Sequence, residues 1–201
     1  MQKPIVILGA GHQGNIAASI FELSCTRKII FLDDNRARHN VSGKFLEYSS
    51  FNPEKHLFHV ALGDNKQRKK WFEHLLSNDV TFISAIHPTA FISKNVSLGK
   101  NCMVGGFAFI HTNCIIGDNC IINTGAIIEH DCEIAHNVFV GPRATCAGEV
   151  TIKENAFIGM SASILNKVII EKGCVIAAGA VVTRSTEVES RYFGIPARKR
   201  E

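Results

Sequence analysis

The sequence predicts two domains, an α/β Rossmann-like domain over residues 1–86 and a parallel β-helix over residues 87–201. Three observations support this prediction. A glycine-rich turn separates an apolar run from a helical pattern near the N-terminus. A six-residue repeat fills most of the second half, and its period is neither that of a helix nor that of a flat strand. Between them, His87-Pro88 marks a boundary, because the residue before a proline is disfavoured in helical geometry.

The first domain alternates short apolar runs with helical patterns. Strands are predicted at Ile5–Leu8, Lys28–Leu32, His59–Leu62 and Val80–Ile86, and helices from the glycine-rich turn to about Leu23 and over Lys66–Leu76. Such alternation indicates a parallel sheet with crossover helices. The domain is too short for the two mononucleotide-binding halves of a full dinucleotide fold, so a dehydrogenase is disfavoured.

The segment Gly9-Ala10-Gly11-His12-Gln13-Gly14 joins the first strand to the first helix. Glycines at such a turn let the backbone approach a phosphate. Asp33 and Asp34 end the second strand, where carboxylates accept hydrogen bonds from a ribose or base, and Gly63 closes the third strand. The alternative is a tight turn that needs glycine for structural reasons only. The context favours binding of a mononucleotide-type ligand, such as a nucleotide-linked sugar.

The repeat covers Phe91–Thr186 as sixteen consecutive hexapeptides without an insertion. The second position holds Ile, Val, Leu or, once, Cys, and the sixth holds Ala, Cys, Val or Thr. The third is often Gly. A period of six suits a short strand followed by a tight corner, and stacking the coils buries the second and sixth positions in one continuous core. The sequence therefore predicts a parallel β-helix.

Six of the seven cysteines follow this repeat, and no two of the seven form a CxxC pair. Cys146 occupies a second position, and five others occupy sixth positions: Cys102, Cys114, Cys120, Cys132 and Cys174. We therefore expect small buried hydrophobic residues, with no metal site and no covalent nucleophile among them.

Charge and hydropathy exclude two classes of partner. The net charge is only +4, and part of it lies in the terminal run Arg198-Lys199-Arg200, so a nucleic-acid partner is not expected. No segment approaches the roughly 20 apolar residues of a membrane span. The apolar run Ile5–Leu8 is too short for the core of a signal peptide. We expect a cytoplasmic protein with no membrane partner.

The hexapeptides resemble those of the hexapeptide acyltransferase superfamily, and the order of the two domains resembles the NeuD/PglD-type sugar acetyltransferases. The matching stretches are IFLDD at Ile30–Asp34, ALGDNKQRKK at Ala61–Lys70, IHPTAFIS at Ile86–Ser93, NTGAIIEHDC at Asn123–Cys132 and the tail GIPARKR. The resemblance covers nearly the whole chain. It implies a left-handed β-helix of about five coils, a homotrimer with active sites between the β-helices of neighbouring subunits, and acetyl-CoA as co-substrate.

Within the EHD segment, the resemblance implies His130 as general base and Asp131 as the carboxylate beside it. An amine attacks a thioester only when neutral, and histidine titrates near neutrality. A carboxylate fixes the tautomer of the imidazole, a role for which Glu129 is the alternative. Without the resemblance, His130 is interpreted as a solvated corner residue. Direct transfer is expected, because no Ser or Cys lies beside His130 in sequence.

The resemblance also implies binding residues. Acetyl-CoA contacts fall on Met160 and Ala178, and contacts to the sugar nucleotide fall on Gly11, His12, Gln13, Asp33, Asp34 and Gly63. Many relatives carry a second histidine nine residues after the base, where this chain has Phe139, expected to pack near the thioester without a polar contact. His136 lies at a different position of its hexapeptide and is interpreted as a surface corner residue. His12-Gln13 replaces a frequent Gly-His, so sugar contacts there are expected to differ.

The resemblance implies N-acetylation of the 4-amino group of a nucleotide-linked 4-amino-4,6-dideoxy sugar, with UDP as first choice and GDP or dTDP next. O-acetylation of a sialic-acid-like sugar is the alternative within the class. Two other classes stay open. One is a zinc-dependent, carbonic-anhydrase-like β-helix protein, for which His111, His130 and His136 are the candidate ligands. The other is a non-catalytic trimeric binding scaffold.

Overall fold

The computed structural model describes residues 2–38 and 40–200. The chain forms two compact units, Met1–Pro88 and Thr89–Glu201. Within the described residues, no helix is both long enough and apolar enough to cross a bilayer.

The first unit is built on a parallel four-stranded sheet. Its elements are β1 (Ile5–Leu8), α1 (His12–Ser24), β2 (Ile29–Leu32), β3 (Val41–Gly43), a 3₁₀ helix (Phe45–Ser50), β4 (Leu57–Val60), α2 (Asn65–Leu76) and β5 (Ala85–Ile86). The strand order in the sheet is β3-β2-β1-β4. Ile5 on the central strand lies opposite Ile29 on one side and Leu57 on the other. The predicted α/β fold with parallel strands is confirmed.

Two strand predictions in this unit were wrong in extent. The third strand runs over Leu57–Val60 rather than His59–Leu62, because its pairing with β1 begins at Leu57 and ends at Val60, and Ala61 and Leu62 lie beyond it. The predicted strand Val80–Ile86 is reduced to a single bridge between Phe82 and Phe58 and the two-residue β5. The imidazole of His59 is buried in this region, and its Nδ1–H donates to the Ile83 carbonyl at 2.9 Å.

The second unit is a parallel β-solenoid, which confirms the predicted β-helix. Every hexapeptide contributes one two-residue strand at its first two positions. These strands, β6 to β21, are Phe91–Ile92, Ser97–Leu98, Met103–Val104, Phe109–Ile110, Ile115–Ile116, Ile121–Ile122, Ile127–Ile128, Glu133–Ile134, Phe139–Val140, Thr145–Cys146, Thr151–Ile152, Phe157–Ile158, Ser163–Ile164, Ile169–Ile170, Val175–Ile176 and Val181–Val182. The C-terminal residues add β22 (Arg191–Phe193) and an antiparallel β23 (Arg198–Arg200), so the basic tail is part of a sheet.

Strands three hexapeptides apart pair in parallel, which gives the solenoid three faces. The first face has the order β21-β18-β15-β12-β9-β6, and the second has β19-β16-β13-β10-β7. The third face runs from β8 through β11, β14, β17 and β20 to β22. In one coil, for example, the strand Ile127–Ile128 lies on the first face, Glu133–Ile134 on the second and Phe139–Val140 on the third.

Three corners connect these faces, and we name each by a residue it contains. The His130 corner (129–131) follows the first face, the Asn137 corner (135–137) follows the second, and the Met160 corner (159–161) follows the third. The fifth residue of fourteen of the sixteen hexapeptides has a left-handed φ, for example 58° at Asp131 and 57° at Asn137. Asn and Asp tolerate this conformation better than other residues with a side chain, which explains their frequency there.

The interior is filled by the second and sixth positions of the repeat. Ile110, Ile122 and Ile128 are fully buried at second positions, while Ala126 and Cys132 are fully buried at sixth positions. Six of the seven cysteines are buried, and only Cys25 is partly accessible. Burial raises the pKa of the Cys146 thiol to about 12. The predicted role of these cysteines as small hydrophobic residues is confirmed.

An asparagine column runs through the Asn137 corner of successive coils. Asn101 donates to Asn119 at 2.7 Å, Asn119 donates to Asn137 at 2.8 Å, and Asn137 donates to Asn155 at 3.0 Å. The first three are at most 4% exposed. Each inner amide acts as both donor and acceptor, so the column satisfies buried polar groups in a continuous line.

Candidate active site

The His130 corner is held by the coils on both sides. The Asp131 N–H donates to the Thr112 carbonyl at 3.0 Å, and the His130 carbonyl accepts from the Glu149 N–H at 2.9 Å. The backbone beneath both side chains is therefore fixed by the β-helix itself. Their side chains are each 47% exposed, so they are accessible from outside the solenoid.

The two side chains form a polar chain with residues of the preceding coils. His130 Nδ1 lies 2.8 Å from Asp131 Oδ2, and Asn113 Nδ2 donates to Asp131 Oδ1 at 2.9 Å. Asn113 in turn accepts a hydrogen bond from Asn95. Both carboxylate oxygens of Asp131 are thus engaged, which fixes its plane. Because Nδ1–H donates to Asp131, Nε2 is the basic nitrogen of the neutral ring.

The electrostatics of this pair suit a proton acceptor. The hydrogen bond to Asp131, reinforced by its negative charge, raises the pKa of His130 above its ordinary value. Hydrogen bonds from Asn113 and His130 lower the pKa of Asp131. The carboxylate therefore stays ionised while the imidazole becomes a stronger base. Glu129, the alternative partner, affects the pKa of His130 only through its charge.

Two further histidines lie in the β-helix, His111 near this corner and His136 at the next one. The ring of His111, one coil earlier, has its centroid 6.4 Å from that of His130, and its buried Nδ1 has no hydrogen-bond partner. His136 Nδ1 accepts the Asp118 N–H at 2.9 Å, so this histidine links two coils at the Asn137 corner. Among residues 2–38 and 40–200, no three His, Cys, Asp or Glu side chains cluster as metal ligands would.

The residues expected to contact acetyl-CoA lie away from His130 within one chain. Met160 is 57% exposed and Ala178 is exposed in the same position of the next coil, both at the Met160 corner. Phe139 belongs to the third face, opposite the His130 corner, where its ring stacks on Phe157 at a centroid distance of 4.7 Å. The structure therefore brings Met160 and Ala178 together but separates Phe139 from His130.

The glycine-rich turn of the first unit is tightly packed. A Cβ at Gly14 would lie 1.8 Å from the Gly9 carbonyl oxygen, and Gly9 itself has a φ of 114°. Both positions therefore need glycine for the turn to form. Helix α1 begins at His12, and its N-cap residue, Gly11, supplies no side-chain hydrogen bond. The first N–H groups of α1 thus lack a side-chain cap, as helix starts that bind anions do.

Most of the predicted sugar-nucleotide residues gather at the carboxyl ends of β1, β2 and β4. The buried Asp33 accepts from the Ala10 N–H at 2.8 Å, the Asn35 N–H at 2.8 Å and Arg38 at 2.7 Å. It therefore organises the turn. Arg38, which the sequence pattern did not reveal, lies against Gly11, where an added Cβ would be 2.6 Å from its Nη1.

The other predicted residues are more accessible or less engaged. His12 is exposed, and the buried Oε1 of Gln13 has no hydrogen-bond partner. A Cβ at the exposed Gly63 would be 3.5 Å from Gln13 Cγ, so these two residues are neighbours. Asp34 is exposed, and its Oδ1 accepts the Phe45 N–H at 3.1 Å, which connects β2 to the 3₁₀ helix.

Family models match both halves of the chain. Residues 4–75 match the PglD N-terminal domain. Residues 113–148 and 149–184 each match the bacterial transferase hexapeptide model of six repeats.

Solved structures match over almost the full length. The acetyltransferase domain of PglB from Neisseria gonorrhoeae, in complex with acetyl coenzyme A, is 27% identical with a TM-score of 0.95, covering 99% of this chain and 100% of its own. PerB from Caulobacter crescentus, in complex with CoA and GDP-perosamine, is 30% identical with a TM-score of 0.93, covering 98% and 97%. WeeI from Acinetobacter baumannii is 25% identical with a TM-score of 0.87, covering 98% and 99%.

Proposed function

The chain belongs to the PglD/NeuD-type sugar acetyltransferases, and on this premise we propose that it N-acetylates the 4-amino group of a nucleotide-linked 4-amino-4,6-dideoxy sugar. It is an acetyl-CoA-dependent acyltransferase with a left-handed β-helix. The observation that carries the proposed chemistry is the His130–Asp131 pair, with its 2.8 Å hydrogen bond and raised imidazole pKa.

The proposed reaction is a direct transfer in which His130 acts as base. Nε2 accepts a proton as the sugar amine attacks the thioester carbonyl, so an N–C bond forms and the C–S bond breaks. The proton then passes from the imidazolium to the departing CoA sulfur. Asp131 holds the reactive tautomer and stabilises the imidazolium. Burial of the six β-helix cysteines supports a route without an acylated thiol.

We propose Met160, Ala178 and Phe139 as the acetyl-CoA contacts, provided by a neighbouring copy of the chain. Within one β-helix the third face lies opposite the His130 corner, so Phe139 can approach a His130 only across an interface with another copy.

Large exposed apolar residues flank the His130 corner on both faces: Phe91 and Ile127 on the first, Ile115 and Ile169 on the second. Such side chains mark an association surface. We therefore propose a homotrimer, for which light scattering should give about three times the chain mass of 22.0 kDa.

The proposed nucleotide site comprises Gly11, His12, Gln13, Asp33, Asp34 and Gly63. The uncapped start of α1 supports phosphate binding at this turn. Asp33 already accepts three hydrogen bonds, so the exposed Asp34 is the better placed of the two for a ribose or base. UDP is the first choice after the family resemblance, whereas PerB was solved with GDP-perosamine. The rates of acetyl transfer to UDP-, GDP- and dTDP-linked 4-amino sugars should therefore be compared directly.

The test is acetyl transfer by wild type, His130→Ala and His136→Ala, followed by mass spectrometry of the product. His136 is the matched control, since it is also a largely exposed corner histidine. Loss of a general base should lower kcat by about 10²–10⁴-fold in His130→Ala, with His136→Ala close to wild type. Near-wild-type transfer by His130→Ala would exclude the proposed base.

Three further measurements separate the alternatives. Stability of the acetyl group to mild base distinguishes an amide product from an ester on a sialic-acid-like sugar. Stoichiometric zinc in the purified protein would favour the carbonic-anhydrase-like class. Absence of turnover with every amino sugar, together with ligand binding, would favour a non-catalytic scaffold.

A further inference from the structure

Gly148 lies in the same corner position as His130, one coil further along the β-helix. The residues at this position in successive coils are Lys94, Thr112, His130, Gly148 and Asn166. The φ of Gly148 lies outside the left-handed region, so its backbone conformation accepts any residue. Its neighbours in the stack carry side chains, whereas Gly148 carries none.

The space of the missing side chain is filled by the His130 imidazole. A Cβ at Gly148 would lie 2.6 Å from both Cε1 and Nε2 of His130 and 3.2 Å from Nδ1. Real Cβ contacts are not this short, so an alanine side chain and the present ring position exclude each other. The three nearest atoms all belong to the ring, which can rotate away, while no backbone atom is among them.

We propose that Gly148 is a positioning residue for the catalytic histidine. The absence of a side chain lets the imidazole lie over the backbone of the next coil while Nδ1 keeps its hydrogen bond to Asp131. Any larger residue displaces the ring and breaks the alignment of Nε2. This inference rests on the proposed role of His130 as base.

The consequence for catalysis is a defect in turnover. Misplacing a catalytic group by about 1 Å costs up to about 10²-fold in rate. We expect Gly148→Ala to lower kcat by at least about tenfold, with the KM of the amino sugar changed less than about twofold. Asn166→Ala, one coil further at the same corner, is the matched control and should match wild type.

A second readout reports ring position without turnover. In the free enzyme, NMR titration of the His130 imidazole gives its pKa, which the Asp131 hydrogen bond raises. Gly148→Ala should move that pKa back toward the ordinary value, and Asn166→Ala should leave it raised. A Gly148→Ala enzyme with an unchanged His130 pKa would overturn the inference, whatever its activity.

The double variant keeps the test decisive if Gly148→Ala folds poorly. Removing the ring removes the clash, so His130→Ala/Gly148→Ala should melt at the temperature of His130→Ala alone. Destabilisation that persists in the double variant would show that Gly148 serves the coil rather than the ring. Activity in His130→Ala contradicts the proposed function instead, so the two failures are distinguishable.

Discussion

The asparagine column makes a quantitative prediction about stability. Asn119 is 1% exposed, accepts from Asn101 at 2.7 Å and donates to Asn137 at 2.8 Å. Asn119→Ala removes these two bonds inside the solenoid, and the loss of each bond by a buried amide costs about 2 kcal/mol. The left-handed φ of 60° adds about 1 kcal/mol for alanine. The expected loss in the free energy of unfolding is therefore about 5 kcal/mol.

Asn155→Ala is the matched control at the end of the same column. Asn155 has nearly the same backbone conformation, with a φ of 62°, but is only half-buried and accepts one bond, from Asn137 at 3.0 Å. Its replacement removes one bond from the buried Asn137 amide and adds the cost of alanine at this φ, so the loss should be about 3 kcal/mol. Asn119→Gly isolates the backbone part, because glycine adopts this φ freely and should recover about 1 kcal/mol.

Urea unfolding followed by far-UV circular dichroism measures all three variants. The reasoning requires Asn119→Ala to be the most destabilised, then Asn119→Gly and then Asn155→Ala. If Asn119→Ala costs no more than Asn155→Ala, the buried hydrogen bonds of the column do not contribute the stability assigned to them.

Three further predictions concern titration and reactivity. Asp131→Asn should lower the pKa of His130, so the acid limb of the pH profile of kcat/KM should move to lower pH while kcat falls; an unmoved limb would contradict the pairing. A thiol reagent should label one cysteine, Cys25, in the native protein and all seven after unfolding; rapid labelling of more than one would contradict the buried core. Burial lowers the pKa of His59 to about 4 from 6.5, so the unfolded state binds more protons between these values and stability should fall as pH falls through that window. His59→Gln should flatten this dependence in unfolding measured from pH 7 to 4.

The second unit was predictable almost strand by strand because its signal is both local and periodic. Each of the sixteen strands occupies the first two positions of a hexapeptide. The buried second and sixth positions recur in every hexapeptide, so no single ambiguous residue decides an assignment.

The first unit was less predictable because its strand ends depend on partners distant in sequence. Strand β3 spans only Val41–Gly43, and its pairing with β2 places Val41 opposite Phe31. The 3₁₀ helix at Phe45–Ser50 has only six residues, of which Phe45 and Tyr48 are buried. Conversely, Val80–Ile86 is apolar enough for a strand, yet only Phe82 bridges to β4.

The site shows the same division between neighbours in sequence and neighbours in space. The EHD segment pointed to His130 and Asp131, which are adjacent in sequence and share a 2.8 Å hydrogen bond. Asn113, which holds Asp131, and Gly148, which accommodates the His130 ring, were missed, although each lies 18 residues from its partner. Counting one coil in either direction would have found both. Arg38 offered no such periodic signal, since its ion pair with Asp33 depends on the path of the loop after β2.

The coil of 18 residues, visible in every rung of the asparagine column, also restricts how this chain can change in length. Inserting or deleting 6 or 12 residues would rotate all later side chains to a different edge of the triangle and end the column. A whole coil keeps every edge in place and only moves the later coils by about 4.8 Å along the axis. The distance along the axis between the His130 imidazole and the Met160 corner can therefore change only in steps of one coil.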